Sequence, residues 1–227
     1  MAPRKTNAIQ LRTAKEFENL LNSLLNDCAW ARTAFRQRLS LHRDLSENLK
    51  VFEAAKTFWT LTLYAHDDFV MARLCRIYDQ HKNSLNLRRL LLTIQDNPAM
   101  FDEAQFRDRN KDDPFVEVMA VNAKRPDEGQ LAKDIADTSK TDPLVRKLCT
   151  WRNGLFAHTD PRPVLTGGPP VAGLPLNQEE VTVLIERAND VLFHRYRQLF
   201  KGSNMLGILP GVRDYLPLFK IPSADLK

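Results

Sequence analysis

The first half of this sequence almost lacks the residues that break helices. Proline is absent between Pro3 and Pro98, and the first glycine of the chain is Gly129. Helices are the structures that most readily use so long a stretch without either residue. The chain also lacks segments in which polar and apolar residues alternate with the period of a β-strand. The sequence therefore predicts an all-α fold.

Long apolar runs are missing as well. The apolar stretch from Phe58 to Ala65 is bounded by Lys56 and Asp67, and it is far shorter than the roughly 18 residues that cross a bilayer. The N-terminal segment MAPRKTNAIQLRTAKEF is basic, but no apolar stretch follows its charges, so it does not fit a secretory signal. We therefore expect no membrane segment and a cytoplasmic location.

Cysteine is scarce, and its three positions, Cys28, Cys75 and Cys149, are far apart and never form a CxxC pair. This spacing favours buried thiols over a disulfide framework or a zinc site. Glycine loops that bind phosphate and HExxH motifs are also absent, so we expect neither a metal nor a cofactor. The net charge of +5 is compatible with a polyanionic partner but does not establish one.

Helical periodicity is the clearest pattern that the sequence does contain. Apolar residues recur at spacings of three and four, and 43% of the chain is hydrophobic, which is enough for a packed core. Ser46 and Ser84 are candidate N-caps, and Asp142-Pro143 is a typical helix start. The pattern predicts helices over residues 13–41, 47–80, 85–94, 141–158 and 178–200. The residues expected to face the core are Phe52, Trp59, Leu63, Val70, Leu74 and Ile77 in the second helix, Leu87, Leu90, Leu91 and Ile94 in the third, and Val181, Ile185, Ala188, Leu192, Tyr196 and Leu199 in the last.

These helices are expected to form an antiparallel bundle in which the first two pair as a hairpin. The segment from Thr159 to Asn177 is rich in proline and glycine, so it predicts a mobile loop before the last long helix. Residues 202–227 contain too many helix breakers for a long helix. We expect one helical domain over residues 1–201 and a C-terminal tail that packs on the bundle or on a partner.

Residues that suggest chemistry occur where the fourth long helix ends, in the sequence LCTWRNGLFAHTD over residues 148–160. Arg152 lies in an apolar stripe between Cys149 and Phe156. A guanidinium in that position is expected to meet a carboxylate or an anion at an interface. The alternative is an Arg whose charged end reaches solvent at the edge of the bundle.

His158 and Gly154 also allow two interpretations. A His in the last turn of a helix can simply stabilise the helix dipole and cap a carbonyl. Gly154 weakens the helix by about 1 kcal/mol relative to Ala, which suggests a close approach of another backbone or a local deformation. Both features suit an interface.

The segment Arg152-Asn153-Gly154-Leu155-Phe156-Ala157-His158 resembles the signature of the HEPN superfamily, an Arg followed a few residues later by a His near the end of a helix. The segments RLCRIYDQ at 73–80, SLNLRRLLLTIQDNP at 84–98 and RNGLFAHTD at 152–160 are similar to the AbiU-like abortive-infection branch. The resemblance covers about residues 15–200.

This resemblance implies a helical bundle that forms a homodimer and, in active members, cleaves RNA without a metal. Arg152 would neutralise the scissile phosphate, His158 would be the general acid or base, and Asn153 would orient them. The protein would then be a toxin or phage-defence endoribonuclease, and its partners would include RNA and an antitoxin or another regulatory protein. The alternative is a catalytically inactive helical module that binds RNA, a nucleotide or a partner protein.

Elementary chemistry agrees with this assignment, because His and Arg can supply the base, acid and cation that RNA cleavage needs at neutral pH. Six positions of an ideal helix, however, place Arg152 and His158 about 120° apart and about 9 Å along the axis. A long Arg side chain, a helix loosened at Gly154, or a two-fold pairing of helices would bring the two together. Pairing would also supply two histidines.

Other charged residues are weaker candidates. His66 is expected to be a satisfied core residue, and Asp67 and Asp68 to be surface acids, with a counter-ion for Arg152 as the alternative. Two sets of arginines are expected to lie on solvated helix faces, with an RNA-backbone groove as the alternative. They are Arg32, Arg36 and Arg43 on the first helix and Arg187, Arg195 and Arg197 on the last.

Overall fold

A computed structural model describes residues 7–121, 124–153, 165, 176–202 and 211–220. All regular secondary structure in these residues is helical, so the all-α prediction is confirmed. The α-helices are α1 (Ala14–Glu47), α2 (Leu49–Ala54), α3 (Lys56–Ile77), α4 (Leu87–Asp96), α5 (Glu103–Arg109), α6 (Val116–Ala120), α7 (Glu128–Asp137), α8 (Pro143–Trp151), α9 (Gln178–Asn189) and α10 (Gln198–Lys201). None of the helices in the described ranges is long and apolar enough to cross a membrane.

Helix α1 begins with a capping box. The backbone N–H groups of Arg12 and Thr13 donate to the Glu16 carboxylate, and the Thr13 hydroxyl accepts from the backbone N–H of Glu16. The helix extends past the predicted end near residue 41, so Ser46 is not an N-cap but a residue of its last turn. Its hydroxyl donates to the carbonyl of His42 instead.

The single helix predicted over residues 47–80 is divided in two at Ala55. Trp59 stabilises the break between the two helices. Its indole N–H donates to the carbonyl of Val51 at 3.1 Å, and its ring is buried. The predicted apolar stripe survives the break. Val70, Leu74 and Ile77 are all buried in α3.

The chain forms two compact units, one from residues 1–28 and 74–205 and the other from residues 29–73 and 206–227. This grouping describes packing and not independent folding, so the expected domain boundary at residue 201 remains a prediction.

In the second unit, the parts of α1 and α3 run antiparallel, as the predicted hairpin requires. Arg38 donates to Asp67 at 3.2 Å at one end of the pair, and Leu45 packs in one cluster with Trp59 at the other end. Residues Tyr215, Leu216 and Phe219 of the C-terminal segment join that cluster.

A buried carboxylate links the C-terminal segment to α1 within the second unit. Asp44 accepts hydrogen bonds from Arg213 at 2.7 Å and from the Tyr215 hydroxyl at 2.7 Å. The bond from Arg213, then that from Tyr215, lower the pKa of Asp44 against the opposing effect of burial. The carboxylate is therefore ionised and fully used in holding residues 213–215.

The first unit contains α4 to α10 and the N-terminal part of α1. The predicted inward residues of α4, Leu87, Leu90, Leu91 and Ile94, are all buried. The predicted cap, Ser84, was wrong by two positions, because Asn86 accepts the hydrogen bond from the backbone N–H of Arg89 at 2.9 Å. Because α4 begins at Leu87, Asn86 and not Ser84 occupies the cap position.

The last long helix has the predicted extent but an irregular middle. A capping box between Asn177 and Glu180 opens α9, and a π-helical segment, Asp190–Arg197, connects it to α10. The helix ends at Gly202, whose φ of 70° is the left-handed conformation typical of a helix C-terminus. Its predicted core residues Val181, Ile185, Ala188, Leu192 and Tyr196 are buried, and Leu199 is half-buried.

Candidate functional site

Helix α8 carries the candidate site at its C-terminal end. The Asp142 carboxylate caps its start by accepting from the backbone N–H groups of Leu144 and Val145, both at 2.9 Å, as the sequence predicted. Val145, Leu148 and Cys149 are buried and fix the rotation of the helix against the first unit. The next residue on this side of the last turn, Arg152, is thereby held at the edge of the core.

The Arg152 guanidinium meets a carboxylate, as its apolar surroundings predicted, and that carboxylate is Asp79. Nη1 of Arg152 donates to Oδ1 of Asp79. The Arg152 side chain is 30% exposed and the Asp79 side chain 17%. The pair is thus desolvated on one side and open to solvent on the other, so an anion in solution can reach the guanidinium.

The expected alternative counter-ions, Asp67 and Asp68, do not take this role. Asp67 pairs with Arg38, with a nitrogen to oxygen distance of 3.0 Å, and Asp68 is exposed. Asp79 can pair with Arg152 because it lies just after the end of α3, in a loop of the same compact unit as Arg152.

Asp79 is held ionised by its surroundings. Burial raises the pKa of Asp79, but hydrogen bonds from the Ser84 side chain, the His81 backbone N–H and Arg152 together outweigh burial, and the net pKa is lowered. The His81 N–H donates to Oδ1, the same oxygen that Arg152 contacts, at 3.1 Å. A carboxylate with these donors accepts hydrogen bonds and does not supply a proton at neutral pH.

The loop that carries Asp79 is fixed on both sides. The buried Tyr78 hydroxyl donates to the carbonyl of Leu184 on α9 at 2.8 Å. The Gln80 side-chain amide donates to the carbonyls of Tyr78 and Thr138, at 2.9 Å and 3.0 Å. Asp79 therefore lies between two anchored neighbours, which positions its carboxylate and, through it, the Arg152 side chain.

Asn153 contacts the other edge of the guanidinium. Its Oδ1 accepts from Nε and Nη2 of Arg152 at 3.2 Å and 3.1 Å. A guanidinium has five N–H groups, and within the described residues three are used, so one N–H remains on Nη1 and one on Nη2. Arg152 is thus oriented by a carboxylate and an amide and keeps donors for an anion.

Two thiols lie beneath this pair, and neither is reactive. All three cysteines are free and buried, as the sequence predicted. Burial raises the pKa of Cys75 to about 12, against a small opposing effect of Arg152. Burial also raises the pKa of Cys149, whose Sγ lies 3.9 Å from the carbonyl of Tyr78. Both residues act as apolar packing under the guanidinium.

Two other sequence predictions for this site, His158 and Gly154, lie outside the described residues, as do the predicted end of the helix at residue 158 and most of the predicted loop over residues 159–177.

Several of the remaining sequence candidates take structural roles. The ring nitrogen Nδ1 of the half-buried His66 lies 2.8 Å from the carbonyl of Thr62, so this residue is satisfied within its own helix. Arg187 pairs with Asp142, and Arg195 pairs with the buried Asp134. Arg43 lies 3.7 Å from Asp44. These three arginines therefore interact with carboxylates of the protein itself.

Asp79 is the site residue that sequence reasoning missed. It has no periodic signal, because it follows the last turn of α3, where helix patterns end. It does lie inside RLCRIYDQ, one of the segments that carry the family resemblance. No spacing in the sequence, however, connects Asp79 with Arg152.

Comparison with known proteins gives one family. The model of the HEPN_AbiU2 family, described as AbiU2, matches residues 14–216. This range includes every described residue of the site. No curated protein and no solved structure matches the chain.

Proposed function

This chain belongs to the HEPN_AbiU2 family, an abortive-infection branch of the HEPN superfamily, and we propose that it is a metal-independent endoribonuclease. The observation that carries the proposal is the Arg152 guanidinium, which is oriented by Asp79 and Asn153 but, among the described residues, keeps two N–H groups without a partner and is open to solvent.

The proposed reaction is an attack by the ribose 2′-hydroxyl on the adjacent phosphate. A base removes the 2′-hydroxyl proton, a bond forms between O2′ and phosphorus, and the bond between phosphorus and O5′ breaks while an acid protonates O5′. The products are a 2′,3′-cyclic phosphate and a 5′-hydroxyl. Arg152 would stabilise the dianionic phosphorane, and His158 would transfer a proton.

Asp79 and Asn153 would act as positioning residues in this scheme. Because Asp79 is ionised and shares its Oδ1 with the anchored His81 N–H, it restricts the motion of the guanidinium. Asn153 is neutral and exposed, so a phosphate can displace its carbonyl oxygen from Nε and Nη2 at little electrostatic cost. The resting contacts therefore preorganise the cation without neutralising the site completely.

We propose that the active form is a homodimer, because one ideal helix does not align Arg152 with His158 and a second protomer would provide a second His. Sedimentation at micromolar concentration should give a dimer. Mixing Arg152→Ala with His158→Ala protein should then recover part of the activity through the mixed dimer, if Arg and His act across the interface. A monomer, or no recovery on mixing, would contradict a composite site.

The chemistry itself is tested by a substrate with a single 2′-deoxynucleotide at the cleaved position. The proposal predicts that cleavage there is lost and that the all-RNA substrate yields 5′-hydroxyl products. Cleavage of the 2′-deoxy substrate, or 5′-phosphate products, would exclude the proposed attack.

A second candidate is a binding module without catalysis, and the Arg152–Asp79 ion pair also favours it, because a satisfied ion pair is what a structural Arg makes. The two candidates differ in one measurement, since only the nuclease produces fragments. A module that binds RNA would retard the intact substrate on a gel without cleaving it.

A further inference from the structure

Three exposed cations lie on or near α8 and have no role in the site described above. Lys82 lies in the turn after α3, Lys140 lies in the turn before α8, and Arg146 lies on the outer side of α8. Within the part of the chain that the structure describes, none of the three forms an ion pair. Arg187 and Arg195, by contrast, form ion pairs with Asp142 and Asp134.

Lys82 and Lys140 belong to two turns that one side chain ties together. Gln80 donates to the carbonyl of Thr138 at 3.0 Å. Lys82 follows Gln80 by two positions, and Lys140 follows Thr138 by two positions. The two lysines therefore emerge from adjoining stretches of backbone, next to the Asp79 that holds Arg152.

Arg146 extends this surface along α8. Residues Arg146, Thr150 and Asn153 are all exposed and recur at the i, i+4, i+7 spacing of one helix face. Six residues of helix place the backbone of Arg146 about 9 Å from that of Arg152 along the axis. Asn153, which contacts the Arg152 guanidinium, lies at the end of the same face.

Three carboxylates of this region do not cancel these charges, because each is already paired with another cation. Asp79 pairs with Arg152, Asp142 pairs with Arg187 at 3.2 Å, and Glu180 pairs with Lys147 at 2.7 Å. Burial raises the pKa of Cys149, and the charges of Lys140 and Arg152 both oppose that rise. The charges of Lys140 and Arg152 therefore act on the same thiol.

We propose that Lys82, Lys140 and Arg146 form a track that binds the phosphate backbone of a single RNA strand and leads it to Arg152. This proposal rests on the proposed function for its ligand, and it deepens that function by naming the residues that hold the substrate. Phosphate contacts of this kind fix the position of the strand and carry no base preference. The track should therefore contribute affinity without sequence specificity.

Salt dependence of binding tests the track directly. The probe is a fluorescent 2′-O-methyl RNA, which cannot undergo attack by a 2′-hydroxyl, and binding is followed by anisotropy between 50 and 300 mM salt. For a single strand each neutralised phosphate adds about −0.7 to the slope of log K against log salt. The triple variant Lys82→Gln, Lys140→Gln, Arg146→Gln should therefore bind more weakly, with a slope that is smaller in magnitude by about 2.

The matched control removes three exposed cations elsewhere, as Lys50→Gln, Lys56→Gln, Lys111→Gln. It should keep the slope of the wild-type protein. The proposal is overturned if the two triple variants lose the same slope, or if the wild-type protein does not bind the probe.

This result is independent of catalysis, because the probe is not cleaved. If the slope is reduced but ordinary RNA is not cleaved, the RNA-binding track is supported and the nuclease proposal is wrong. If ordinary RNA is cleaved but the two triple variants have the same slope, the nuclease proposal is supported and the track is wrong.

Discussion

Arg152 and Asp79 are 73 positions apart in the sequence, yet the guanidinium of one donates to the carboxylate of the other at the solvent edge of the first unit. Helix α8 positions Arg152, because the cap and the buried face of the helix fix its rotation. The loop after α3 positions Asp79, because Tyr78 and Gln80 anchor the loop on either side. The pair is the structural centre of the proposed site.

Asp79→Asn is expected to remove the charge of this pair and keep its shape. The folded-state pKa of Asp79 is lowered, so ionised Asp79 stabilises the fold above its unfolded pKa of about 3.9. The free energy of unfolding should fall by about 1 kcal/mol at pH 7. The difference from wild type should shrink as the pH falls through the lowered pKa of the folded state.

Urea unfolding at pH 7, 5 and 3 measures this difference, and Asp68→Asn is the matched control because Asp68 is exposed on α3. A loss at pH 7 that persists unchanged at pH 3 would show that the variant acts by altered packing and not by charge.

Asp44→Ala should destabilise the second unit far more than Asp214→Ala, although both side chains link α1 to the C-terminal segment. Asp44 accepts from Arg213 and from the buried Tyr215 hydroxyl, whereas the exposed Asp214 accepts from Gln37 at 3.3 Å. Loss of charge-assisted bonds and an orphaned hydroxyl correspond to about 2–4 kcal/mol for Asp44, against less than about 0.5 kcal/mol for Asp214. Thermal or urea unfolding compares them, and equal losses would refute the role of Asp44.

Gly202→Ala should destabilise the protein, whereas Gly129→Ala should not. Gly202 has a φ of 70°, and a Cβ there would lie 2.9 Å from Met119 Sδ and from Phe106 Cζ. The left-handed conformation alone disfavours Ala by about 1–2 kcal/mol. Gly129 lies in α7, where its Cβ would meet an Asp127 oxygen at an ordinary 3.4 Å, so Ala should be neutral or stabilise by up to about 1 kcal/mol. The melting temperature of each variant is compared with that of the wild-type protein. Equal changes for the two variants would contradict this account.

The three thiols should resist alkylation in the native protein. They are buried, and the pKa of Cys75 is raised to about 12, so little thiolate forms at pH 8. Iodoacetamide at pH 8, followed by intact-mass measurement, should leave the native chain unmodified and add three groups in urea. Rapid modification of Cys75 in the native protein would mean that the site opens far more than its packing suggests.

Sequence patterns predicted the fold well where apolar spacing controls it. The inward face of α4, the Asp142 cap of α8 and the core of the last long helix all follow from residues close in sequence. Two errors, the caps predicted at Ser46 and Ser84, occurred where several side chains could fill one role. Ser46, Ser84 and Asn86 are all capable of capping a helix, and the residue at which the helix begins decides which one does.

Of the two residues in the central ion pair, only Arg152 could be predicted from the sequence. Arg152 was recognisable because a charged residue interrupts an apolar stripe, and that local conflict also predicted a carboxylate partner. The identity of the partner depends on where the loop after α3 lies against α7 and α8, which no local spacing encodes. Asp79 therefore required the three-dimensional arrangement.

The most direct test of the proposed function is incubation of the purified protein with total RNA in the presence of EDTA, beside Arg152→Ala and His158→Ala. The account predicts cleavage by the wild-type protein and a loss of about 10²- to 10⁴-fold in rate for His158→Ala, with a melting temperature close to that of wild type. No cleavage by the wild-type protein, or cleavage that survives His158→Ala, would contradict the nuclease assignment.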